Sequence, residues 1–145
     1  MLNVQVFSQR DARWGNDLMG GKGKLKDFGC AVTCLSSLSG IDPKTLNSKD
    51  IYWNKTNLVD WNKAAKVIGK KFIKRASPYN NLDVWTRINV LQTPVLVEVM
   101  ADPIGNIGGR HWVLFIGSQK AMDPWTGLIT PTSKWKPTGY AIYQK

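Results

Sequence analysis

One histidine and two cysteines are all that the 145 residues hold of those two types, and each scarcity closes off a class of function. Cys30 and Cys34 are too few and too close for a disulfide framework. Four residues apart on a helix, they lie one turn above each other and point the same way, which makes a poor bridge and half of a tetrahedral zinc site. With a single histidine the remaining zinc ligands are missing, so no metal or cofactor is expected. Long apolar runs are absent as well. The longest, from Thr93 to Met100, is strand-sized, against the roughly 20 residues that a membrane span needs. The first residues, MLNVQVFSQRD, carry neither a basic leader nor an apolar signal core. That points to synthesis in the cytoplasm, with lysis or carriage on a virion as routes outward. Acidic residues are scarce too: 10 Asp+Glu stand against 20 Lys+Arg, a net charge of +10. Such a field favours polyanions, whether nucleic acid, anionic lipid or an anionic bacterial wall polymer. It is spread over Lys22, Lys24 and Lys26, over Lys70, Lys71, Lys74 and Arg75, and over Lys134 and Lys136, and no dedicated nucleic-acid motif accompanies it.

Hydrophobic residues make up 43% of the chain and charged residues 21%, a globular balance, and the length suits one domain over residues 1–145. Leu2, Val4 and Val6 alternate with polar residues at the period of a half-buried strand. A long stretch rich in glycine and charge follows, from Gln9 to Gly29, and reads as a loop. Loops of that length inside a compact domain tend to be functional. In CAVTCLSSLSG, apolar residues recur at helical spacing, and Gly40 is the stop signal. Asp42 and Pro43 open a short second helix. Asn57 is the expected cap of a third, with Leu58, Trp61, Ala65 and Ile68 as its apolar stripe. KKFIKRAS reads either as a short strand or as a basic connector. LDVWTRINVL reads as a fourth helix with Leu82, Trp85, Ile88 and Leu91 inward. Beyond Thr93 the texture changes to short β-rich runs between glycine and proline turns. Helices followed by strands predict an α+β domain, with N-terminal helices packed on a C-terminal antiparallel sheet.

A cysteine becomes a nucleophile where its thiolate is stabilised, and a helix N-terminus does this through free N–H groups and the macrodipole. Cys30 holds that position, whereas Cys34 is a turn deeper. Gly29, just before it, admits close approach by another backbone or by a substrate. A buried, inert cysteine is the competing reading of Cys30. His111 opens the apolar run HWVLFIG after the glycine-rich PIGNIGGR, a place where a rigid scaffold presents a side chain to solvent. A Cys/His pair needs a third group to fix the imidazole. Asp123 serves if HWVLFIG and QKAMD form a hairpin turning near Ser118. Equally, it simply begins a DPWTG turn. For the oxyanion of an acyl-transfer intermediate, the Cys30 backbone N–H is one donor, and the side-chain amide of Gln9 is the candidate second.

The segments SQRDARWG, DFGCAVTCLSSLSG, TPVLVEV, HWVLFIG and MDPWTG, in this order, resemble the peptidase family related to bacteriocin leader-processing (double-glycine) proteases, a branch of the papain-like cysteine proteases. The resemblance covers most of the chain and is weakest between Ile41 and Asn81. It implies a papain-like fold, with Cys30 as nucleophile, His111 as general base and acid, Asp123 as orienting carboxylate and Gln9 as oxyanion-hole residue. The basic insertion GGKGKLK between Gln9 and Cys30 departs from the family pattern. Gly29, Trp112 and Trp125 flank these positions and are the expected substrate contacts. The activity so implied is cleavage of an amide by a cysteine peptidase or amidase. Free-standing, basic, tryptophan-rich domains of this kind are similar to phage or bacterial enzymes acting on peptidoglycan peptides, with an anionic wall polymer as a further partner. Two other readings keep the same residues: a non-catalytic polyanion-binding module on this fold, and a Cys/His/Asp transamidase or deamidase.

Overall fold

The computed structural model of the chain describes residues 1–100 and 109–145. The glycine-rich segment before His111 therefore lies mostly outside the described residues. The helices are α1 (Leu25–Phe28), α2 (Cys30–Ser39), α3 (Pro43–Asn47), α4 (Trp61–Ile68) and α5 (Asn81–Asn89). The strands are β1 (Lys71–Ala76), β2 (Val95–Met100), β3 (Arg110–Gly117), β4 (Lys120–Asp123), β5 (Leu128–Pro131) and β6 (Lys136–Gln144). They form one six-stranded sheet in the order β1-β6-β2-β3-β4-β5, every neighbouring pair antiparallel. The domain is α+β, as the texture of the sequence implies.

Alternation along the strands divides the core in two. Leu96, Leu114, Ile116, Met122 and Tyr143 pack with Val32, Cys34 and Leu35 of α2, Leu46 of α3 and Ala64 and Ala65 of α4. Val95, Val97, Val99, Val113 and Phe115 pack on the other side with Val84 and Ile88 of α5. The central strands are thus covered on both faces, which explains why VLVEV and HWVLFIG read as nearly continuous apolar runs. At the sheet edge, KKFIKRAS is a strand, β1, and its Lys71, Lys74 and Arg75 are exposed. Charge on an edge strand discourages pairing with another chain.

Local chemistry sets the helix limits. Asp42 caps α3 by accepting from the Thr45 N–H at 2.9 Å, with Pro43 in the first turn. Gly40 and Gly69 take the left-handed conformation that ends α2 and α4. Expectations are corrected at several points. The stretch from Gln9 to Gly29 is not loop throughout, since α1 occupies its end. Residues 1–7 form no strand; Leu2 donates one hydrogen bond, to the Ile116 carbonyl at 2.7 Å, and Leu2 and Val4 pack on the core. Asp60, not Asn57, caps α4, its carboxylate accepting from the N–H groups of Asn62 and Lys63. Leu58 therefore precedes the helix and is exposed. On α5 the buried face is Val84 and Ile88, while Leu82, Trp85 and Leu91 point outward. The helix starts at Asn81 under an Asn80 cap, and that phase puts the i, i+4 pair Val84/Ile88 over the sheet.

Candidate active site

Cys30 is the first residue of α2 and is partly exposed. No side chain caps this helix start. The N–H groups of its first turn are thus left to whatever lies beside Cys30. Gly29 precedes it because nothing larger fits. A Cβ there would come within 2.5 Å of the Leu25 carbonyl oxygen, which accepts from the Gly29 N–H at 2.8 Å. The close approach that glycine permits is by the chain's own α1.

His111 is the second residue of β3 and is buried. β3 and β4 form a hairpin whose two turn residues, Ser118 and Gln119, both have positive φ. Leu114 pairs with Met122, so Asp123 comes one residue further along β4, toward the end of β3 that carries His111. The His111 Nε2 and Asp123 Oδ1 are 2.8 Å apart, the hydrogen bond that the hairpin argument requires. The same carboxylate oxygen accepts from the Trp125 N–H at 3.0 Å, which fixes its direction. Asp123 thus both begins a turn and meets the imidazole; the two readings of it are compatible.

Burial works against a charged His111 ring, but hydrogen bonds to Asp123 and to the Cys30 thiol, with their negative charge, outweigh it. The imidazole pKa is raised to about 9, so the ring carries a proton at neutral pH. A protonated imidazole beside Cys30 is placed to hand a proton to a leaving group. Trp135 covers the ring from another side, with centroids 5.7 Å apart. Cys34 behaves differently. Burial first, then the charges of Cys30 and Asp123, push its pKa well above the ordinary thiol value, and its Sγ donates to the Trp112 carbonyl at 3.5 Å.

Gln9 is 1% exposed, and its Nε2 donates to the carbonyls of Leu25 at 3.3 Å and Lys26 at 3.1 Å. Its backbone N–H is held by the Pro124 carbonyl at 2.8 Å. Gln9 therefore ties the segment leading into Cys30 to the turn that follows Asp123. Its amide donors are engaged in those bonds. Trp112 lines a groove of about 390 Å³ that Cys30 also lines. Trp125 is outside that groove; its ring lies under the Arg10 guanidinium, 4.5 Å from the centroid. Sequence reasoning missed Trp135, Trp53 and Trp61 as neighbours of the site. The only available signal was a tryptophan within a polar run, as in YWNKTN, which does not say where the ring goes. Among the described residues, no group of three or more His, Cys, Asp or Glu side chains is gathered as a metal site would need.

Searches of known protein families, curated proteins and solved structures found no match to this chain. Any functional reading rests on the residues themselves.

Proposed function

We propose that the protein is a cysteine peptidase or amidase that cleaves an amide by acyl transfer through a Cys30 thioester. The observation that carries this reading is the set of Cys30, His111 and Asp123: a helix-start thiol, an imidazole that its charge affects, and a buried carboxylate 2.8 Å from that imidazole. Nucleophile, proton carrier and orienting group are the three roles the reaction demands.

With the proton already carried by His111, Sγ attacks the amide carbonyl carbon. The oxyanion is met by the Cys30 N–H, and by Gln9 if its amide exchanges one of its two carbonyl partners for the oxyanion. His111 then gives the proton to the departing amine as the C–N bond breaks, leaving the thioester. Water, losing a proton to His111, attacks the thioester; the C–S bond breaks, and the acid and the thiol are restored. The order of the parts, a thiol on a helix followed by His and Asp on an antiparallel sheet, supports the papain-like reading of the fold.

Iodoacetamide should label Cys30 and leave Cys34 untouched, as read by peptide mapping. Cys30→Ala should remove both the labelling and peptide hydrolysis. Hydrolysis that survives the substitution would sink the proposal. Ammonia release without new amino termini would move the reaction to deamidation or transamidation on the same residues.

A further inference from the structure

The groove that Cys30 lines is walled by Phe28, Trp53, Leu58, Trp61 and Trp112. Among the described residues Asn57 is its one polar lining side chain besides Cys30, although the chain carries 20 basic residues. Its mouth is apolar as well: Trp53 is 57% exposed, Leu58 63% and Phe28 42%. Three large apolar side chains gathered at one opening mark a surface that expects to be covered. At about 390 Å³ the groove is within the size range of ligand pockets, and it runs up to the nucleophile.

The walls are built to keep their shape. Residues 52–59 form a tight hairpin. Tyr52 and Val59 bridge, the Trp53 N–H donates to the Leu58 carbonyl at 2.9 Å, and the Thr56 hydroxyl donates to the Trp53 carbonyl. Trp53 and Leu58 are thus paired across the hairpin at the groove mouth. Behind the hairpin lies the glycine-rich insertion. A Cβ at Gly20 would come 1.9 Å from the Thr56 carbonyl oxygen, and one at Gly21 would come 2.5 Å from that of Lys55. Gly23 packs against the Phe28 ring in the same way: a Cβ there would come 2.4 Å from Phe28 Cδ2, which leaves no room for one. The floor is held from below: the Trp61 and Trp112 rings meet edge to face at 5.1 Å, and the Arg75 guanidinium lies 4.9 Å from the Trp112 centroid. Arg75 is in turn paired with Glu98 at 3.2 Å.

Resting on the acyl-transfer reading of Cys30, we infer that this groove receives a large apolar side chain of a polypeptide substrate, aromatic or branched aliphatic, next to the bond that is cut. The glycine insertion and the 52–59 hairpin set its width. Small or charged side chains, such as the alanines and diamino acids of wall peptides, would leave apolar walls unfilled or bury a charge without a partner. The groove therefore favours a protein or peptide rich in bulky apolar residues over a wall peptide.

Chloromethyl ketones of N-acetylated phenylalanine, leucine, alanine and lysine alkylate a reactive thiol while presenting one side chain to the groove. Each rate is divided by that of iodoacetamide on the same protein, which removes differences in the reactivity of Cys30 itself. The phenylalanine and leucine reagents should exceed alanine and lysine by tenfold or more. That preference should fall toward one in Trp53→Ala and in Leu58→Ala, and persist in Trp85→Ala on the opposite face of the sheet. Equal normalised rates in the unaltered protein, or a preference for alanine or lysine, would overturn the inference and return the wall peptide as the better substrate. Should iodoacetamide react with Cys30 no faster than with a free thiol, the acyl-transfer reading fails separately. The groove is then decided by equilibrium binding of N-acetyl-phenylalanine amide against N-acetyl-alanine amide, read by tryptophan fluorescence, where equal affinity overturns it.

Discussion

At the scale of single residues, the His111–Asp123 hydrogen bond controls the charge of the site. Burial alone would hold the imidazole neutral; the Asp123 carboxylate and the Cys30 thiol reverse that and bring its pKa to about 9. Asp123→Asn removes one of the two opposing influences and keeps the burial. The His111 pKa should then fall below 9, toward or under the ordinary value of 6.5. With only one histidine in the chain, its imidazole resonance in an NMR titration is unambiguous. The same titration predicts the alkaline limit of catalysis. The leaving amine takes its proton from His111, so kcat/KM should decline as pH passes about 9 in the unaltered protein, and at lower pH in Asp123→Asn. A titration unmoved by the substitution would mean that Asp123 does not govern the imidazole.

At the scale of elements, α1 and α2 meet at Gly29. The Gly29 N–H is bonded to the Leu25 carbonyl, and the Leu25 side chain is fully buried. Gly29→Ala forces a Cβ into that carbonyl and against Leu25 Cδ2, which would be 2.7 Å away. The expected cost is about 1–3 kcal/mol of stability, as for other overpacked sites, read as a lower urea midpoint with an unchanged slope. Because α2 must shift to relieve the clash, Cys30 should also lose reactivity toward iodoacetamide at temperatures where the variant is still folded. Elsewhere, the elements were legible where one signal dominated: Asp42-Pro43 for α3, Gly40 and Gly69 for helix ends, and apolar runs for β2 and β3. They were misread where two signals competed. Asn57 and Asp60 are both good caps, and Asp60 is the one that caps because Tyr52 and Val59 bridge, which leaves residues 53–58 to the hairpin between them. Leu82 and Trp85 looked inward by spacing, but Val84 and Ile88 meet the sheet.

At the scale of the molecule, the pairing of buried His111 with Asp123 and Cys30 ties folding to pH. Its folded-state pKa of about 9 exceeds the unfolded value near 6.5, so the folded state binds the proton more tightly. This contribution to stability is fully present below pH 6.5 and is lost as pH rises through 9. Urea unfolding at a series of pH values should show stability falling across that window, and His111→Gln should flatten the slope. A slope of the opposite sign would contradict the charge assigned to the ring.

The sequence by itself determined the α+β class and the difference between Cys30 and Cys34, and it offered the hairpin that carries His111 and Asp123 toward each other as one of two readings of Asp123. These follow from short-range rules: helix phase, strand alternation and turn chemistry act over a few residues. The tertiary structure alone decided that Gly29 is required by Leu25 and that Gln9 joins Leu25 and Lys26 to the turn after Asp123. It also decided that Trp53, Leu58 and Phe28 open a groove at Cys30 while Trp125 stays outside it. Each of these depends on which segments meet across sequence separations that no local pattern encodes. The hydrogen bond between His111 and Asp123 is likewise settled by burial and by a 2.8 Å separation, both properties of the folded chain.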